Sequence, residues 1–73
     1  MMTDEHRETL EALVDRCGLD HVLGGLAMIC ADKAEHISVK WQDLKLARLW
    51  TRAGHRCDAT AISKDIERVS VRP

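Results

Sequence analysis

The chain is predicted to be all-α, a small bundle of three to four helices completed by dimerisation. Three observations carry that prediction. Apolar residues recur at three- and four-residue spacing through successive segments, the pattern of helices with one covered face. Residues suited to helix ends, Thr3, Gly18 and Asp20, stand at the borders of the first two segments. Residues 22–31 are apolar or glycine throughout, too broad a surface for one stripe, so that helix needs neighbours on more than one side.

The first helix is expected over residues 4–17. Thr3 offers a capping hydroxyl, and Asp4 and Glu5 follow in the first turn, where free amides point. Leu10, Leu13, Val14 and Cys17 make its apolar stripe; Asp4, Glu8, Glu11 and Asp15 occupy the opposite face. Gly18 is placed to stop it. A second helix is expected over 20–37, with Asp20 as cap and Leu19 folding back on the preceding turn. Gly24 and Gly25 each cost about 1 kcal/mol in a helix interior. They either admit another backbone at close range or delay the helix start, and the apolar neighbours favour close approach.

Between the second and third helices lies D32-K-A-E-H-I-S-V-K-W-Q-D43. If the helix runs on, Asp32, His36 and Lys40 become neighbours four residues apart, and Ile37 turns to the core. Ser38 and β-branched Val39 weaken helical preference, so a bend is expected around Ser38–Gln42, with Gln42 or Asp43 opening the next helix. This reads as a polar joint, with Asp32 tying down His36, and needs no substrate. The third helix is expected over 43–57. Leu46, Leu49, Trp50, Ala53 and Cys57 trace one face, and Lys45, Arg48, Arg52 and Arg56 trace another. Asp58 or Ser63 can cap a short fourth helix over 59–69, leaving 70–73 as a tail.

Seventy-three residues form one domain at most, near the lower limit for a self-sufficient core. Phe and Tyr are absent, and Trp41 and Trp50 are the only large rings. Such a domain needs staples, a metal or a partner, and a second copy is the default partner. The formal net charge of −1 conceals an asymmetry. Residues 1–37 carry eight acids against three bases, a net −5, whereas residues 38–73 carry four acids against eight bases, a net +4. That pattern suits oriented encounters rather than dedicated nucleic-acid binding. Three cysteines make no disulfide framework. With no basic-then-apolar leader pattern at the start and no run of membrane-span length, the protein is expected to be soluble and cytoplasmic.

The segments V22-L-G-G-L-A-M-I-C-A-D-K-A-E-H-I37, W41-Q-D43 and L46-A-R-L-W-T-R-A-G54 resemble a family of small uncharacterised bacterial helical proteins. Its members look alike through an I-C-x-x-K-A-E-H-I segment on one helix and a W-Q-D…L-A…W motif opening the next. The resemblance covers about residues 10–57 and implies a small helical fold. It departs at Gly24-Gly25 and at Ser38-Val39-Lys40, and it carries over no catalytic or ligand-binding residue.

No motif identifies a reaction. Cys30 and His36 lie six residues apart, on different helix faces and about 9 Å apart along the axis, beyond the reach a nucleophile pair needs. Asp32, Glu35 and His36 offer acid–base groups without a second wall to enclose a substrate. The chain is therefore read as non-enzymatic, with no cofactor. Cys17, His21, His55 and Cys57 would supply four zinc ligands only if their segments met; core cysteines and solvent-facing histidines are the preferred reading, so no metal is expected. The basic ridge Lys45, Arg48, Arg52 and Arg56 can meet phosphates, but it is also an ordinary solvated face.

The reading that uses most of the sequence is an interaction or regulatory module. Its expected interface residues are Trp41, Gly24, Gly25, Arg48 and Arg52. The acidic and basic ridges can face each other within the chain, between chains, or address separate partners, and they select orientation more than they supply affinity. Trp50 shares the Leu46–Leu49–Ala53 stripe and is expected in the core; Trp41, at the joint, is the interface anchor. A chain this short also suits a phage or mobile-element inhibitor that masks a host protein's surface.

Overall fold

A computed structural model of the chain describes residues 1–70. Its elements are α1 (Asp4–Cys17), α2 (Leu19–His36), a π-helical turn (Ile37–Trp41), α3 (Leu44–Ala61) and α4 (Lys64–Ser70). The fold is all-α, with no strand among the described residues. Each boundary has a local cause. Thr3 Oγ1 accepts from the His6 amide at 3.2 Å, and His6 Nδ1 accepts from the Thr3 amide at 3.1 Å. This is a reciprocal cap in which a histidine fills the place usual for Glu or Gln. Gly18 ends α1 as expected: its amide donates to the Val14 carbonyl at 2.8 Å, and its φ of 93° with ψ 147° suits glycine.

Boundaries of α2, α3 and α4 differ from the sequence reading. Asp20 does not cap α2, which already begins at Leu19. The Asp20 carboxylate instead accepts from the neighbouring His21 amide at 2.8 Å. The glycine pair does not delay α2, which runs through it. The third helix passes residue 57 and continues to Ala61, because Asp58 does not cap a new helix and Gly54 does not interrupt the old one. Ser63 precedes α4, its hydroxyl 3.5 Å from the Ile66 amide. Ser70, placed in the tail by sequence, is the last residue of α4, and its hydroxyl accepts from the Asp20 amide at 3.0 Å. The remainder of the expected tail, residues 71–73, lies outside the described residues.

The joint after α2 is as bent as its residues suggest. Ile37–Trp41 widens into a π-helical turn, as fits a stretch where Ile37 and Val39 are β-branched and Ser38 competes for backbone hydrogen bonds. Gln42 takes a left-handed conformation, φ 54° and ψ 27°, and Asp43 caps α3 by accepting from the Leu46 amide at 3.0 Å.

The body of the molecule is the hairpin of α2 against α3. Ala34 and Ile37 meet Ala47 near the joint, while Gly54 faces Ala27 and Cys30 further along; the helices are therefore antiparallel. The buried apolar residues are small: Ala27, Ala34, Ala47 and, at the joint, Ile37. A Cβ built on Gly54 would stand 3.2 Å from the Ala27 carbonyl oxygen and 3.2 Å from Cys30 Cβ. The helices approach closely because only glycine fits there. α4 touches both helices of the hairpin, whereas α1 touches α2 alone and buries none of its residues. The longest dimension is 46 Å. At 1.5 Å per residue the α2–π stretch spans only about 35 Å, so α1 reaches beyond the end of the hairpin as an arm.

Candidate interaction surface

On α3, the side facing α2 is held by Ala47 and Gly54. One turn-edge away stands Trp50, half-buried against the Ala34–Ile37–Ala47 cluster. Trp50 is thus only partly the core residue expected from its stripe, since the core itself is made of alanines too small to enclose an indole. Beyond it Leu46, Ala53 and Leu49 turn progressively outward. With Trp50 they line a shallow apolar groove of about 310 Å³. Leu49 is 55% exposed, and Leu26 on α2 is also exposed. Cys30 and Cys57 adjoin across this edge of the hairpin; burial, then the neighbouring Cys57 thiol, push the Cys30 thiol above its ordinary value of 9.0.

A second apolar patch caps the hairpin at the joint. Trp41 is 71% exposed, with Val39 and Leu44 exposed beside it. Asp32, Glu35, His36, Val39 and Lys40 border a small concavity nearby. No hydrogen bond or ion pair joins Asp32 to His36 among the described residues, so the expected tie at the helix end is not made. Glu35 also lines the groove on the other edge of the hairpin, about 570 Å³, where Arg48, His55 and Asp58 sit above a floor that includes Ala27, Ala34 and Gly54.

The four basic residues of α3 fall within about 80° of its circumference. Lys45, Arg52 and Arg56 lie together in that arc and Arg48 at its edge, where it also rims the larger groove. All four are exposed. None pairs with a carboxylate among the described residues, where the ion pairs are Arg7–Asp4 and His21–Asp20. Because α1 and α3 do not touch, the acidic and basic faces do not meet within the chain. That leaves the two other arrangements open to them.

Among the described residues, a Cβ built on Gly24 or Gly25 meets no atom within 4 Å outside its own stretch of helix. The close approach made inside this chain is at Gly54. The sequence held a signal for it: Ala47 and Gly54 lie seven residues apart on α3, as do Ala27 and Ala34 on α2, the register of small residues along one seam. The suggested metal ligands are dispersed. His21 turns its Nδ1 to the Cys17 carbonyl at 3.1 Å, His55 lines the larger groove, and Cys57 meets Cys30. Among the described residues no three His, Cys, Asp or Glu side chains group as metal ligands. Likewise no described helix is long and apolar enough to cross a membrane. Comparison with family models, curated proteins and solved structures gives no match to this chain.

Proposed function

We propose that this chain is a non-enzymatic interaction module that works by presenting apolar helical surface to protein partners. One observation carries the reading: among the described residues no large side chain is fully buried, while Trp41, Leu44, Leu49 and Val39 are each more than half exposed. Exposed apolar patches at helix faces and turns are the usual mark of binding surface. The tip formed by Val39, Trp41 and Leu44 is the target-facing element, with Trp41 as anchor, since tryptophans often dominate interface energetics. A small inhibitor that masks a host protein would use such a tip. The test compares purified parent and Trp41→Ala chains as immobilised baits under equal loading. Proteins retained by the parent and lost by the variant are expected. Identical retention by both would remove the tip from the function.

A second reading is non-specific nucleic-acid binding through Lys45, Arg52 and Arg56, with Arg48 at the flank. The absence of carboxylate partners for these bases among the described residues favours it. It predicts retention on DNA or RNA at low salt that falls steeply as salt rises. Retention unchanged in Arg52→Glu/Arg56→Glu would refute it.

A further inference from the structure

The chain exposes far more surface than a folded chain of its mass should. Its accessible area is 6320 Å² for 8.2 kDa, whereas folded monomers of that mass expose about 4500 Å². Its radius of gyration is 14.2 Å against about 11 Å for a compact chain of this length. The excess, about 1800 Å² per chain, is what each partner contributes to a large obligate homodimer interface. Two apolar stripes contribute to it. One is the Leu46–Leu49–Trp50–Ala53 groove of the hairpin. The other is the stripe of the projecting α1 arm, where Leu13 and Cys17 are exposed.

We propose that two copies exchange their arms: α1 of each lays its Leu10–Leu13–Val14–Cys17 stripe into the Leu46–Leu49–Trp50–Ala53 groove of the other. The occupant of the groove is thus a second copy, and the proposal rests on the reading that this chain works by contact. Net charge is in keeping with it. α1 carries five acids and two bases, a net −3; α3 carries four bases and one acid, a net +3. At about 100° per residue, Asp4, Glu8, Glu11 and Asp15 lie on the far face of α1 from its stripe, while Lys45, Arg52 and Arg56 flank the α3 groove. The attraction is therefore one of net charge at longer range and does not set the direction of docking. Stripe and groove match in length too, since residues 10–17 of α1 and 46–53 of α3 each span about 11 Å. Gly18, the single residue between α1 and α2, sets the angle at which the arm leaves.

Sedimentation equilibrium of the full chain tests this. The parent should sediment at twice its 8.2 kDa mass at micromolar concentration. Leu13→Glu and Leu49→Glu alter residues that are exposed within one chain, and each should shift the equilibrium to single chains while circular dichroism still reports helix. A milder pair keeps the test decisive if those variants unfold. Leu13→Ala and Leu49→Ala remove exposed apolar area without adding a charge, and each should weaken the dimer about tenfold. A parent of single-chain mass, or a dimer that neither pair weakens, would overturn arm exchange. Neither outcome touches the Trp41 bait comparison, which judges the contact reading separately.

Discussion

Three glycine substitutions, one opposite in expected sign to the other two, give the most direct test of the fold. Gly54→Ala places a methyl 3.2 Å from the Ala27 carbonyl oxygen and 3.2 Å from Cys30 Cβ, with the Ala31 amide nitrogen at 4.0 Å. None of these atoms is the far end of a flexible side chain; all belong to or adjoin the α2 backbone. Relief requires the hairpin to open by a few tenths of an ångström, which loosens Ala34 and Ile37 against Ala47. Overpacking of this kind costs ~1–3 kcal/mol. The helical preference of alanine returns about 1 kcal/mol, leaving a net loss of up to ~2 kcal/mol. Gly24→Ala and Gly25→Ala place their methyls in open space and should gain ~0.5–1 kcal/mol each. Urea unfolding followed by circular dichroism at one fixed chain concentration reads all three, because association would otherwise mix into the midpoint. For a domain of this size each kcal/mol also moves the melting temperature by about 4–8 °C. A Gly54→Ala chain as stabilised as the other two would mean the helices do not close at Gly54. Destabilised Gly24→Ala or Gly25→Ala would mean that another chain approaches those glycines, as the sequence reading first expected.

Removing the α3 cap with Asp43→Ala should cost about 1 kcal/mol in the same assay, and a midpoint unchanged within error would remove Asp43 as cap. Trp50→Ala should cost ~2 kcal/mol, less than the ~3–5 kcal/mol of a fully enclosed tryptophan, because the indole is half-buried; a loss near 5 kcal/mol would show that a second chain covers it. The Cys30 thiol is held above its ordinary value of 9.0 by burial and by Cys57, so it should react with iodoacetamide more slowly than exposed Cys17 near pH 8.5. The sign follows from linkage: the native chain favours the protonated thiol, a contribution present below pH 9 and lost as pH rises through the higher folded value. Equal alkylation rates, mapped by mass spectrometry, would contradict the burial.

The helices were legible because their signals are local. Thr3, Gly18 and Asp43 act within a turn of where they stand, and the period of α3 survives into the structure unchanged. Asp20 misled because its carboxylate folds onto its own neighbour His21 while its amide is taken by Ser70, fifty residues away; no local pattern encodes that distant hydroxyl. The π-helical turn was legible as a bend but not as a widened coil, since Ile37, Ser38 and Val39 only weaken an α-helix and do not choose its replacement. The interaction surface was the least legible part. Trp50 and Leu49 read as core from their period, yet period reports only that a face wants cover, and whether the cover comes from the same chain depends on where α1 goes.

That dependence has an energetic root in the hairpin itself. A seam of Ala27, Ala34, Ala47 and Gly54 brings two helices close but removes little apolar area from water, since alanine and glycine have little to remove. Close packing through small residues therefore leaves the larger side chains, Leu26, Leu46, Leu49 and Trp50, standing at the rim of the seam instead of within it. Widening the seam to admit them would sacrifice the contact at Gly54. Keeping it leaves them to be covered from outside. The residue choice that makes the hairpin tight is thus the same one that makes it incomplete, and the stability of this chain should rise with its own concentration. A melting temperature unchanged across a hundredfold range of chain concentration would break the link between the two.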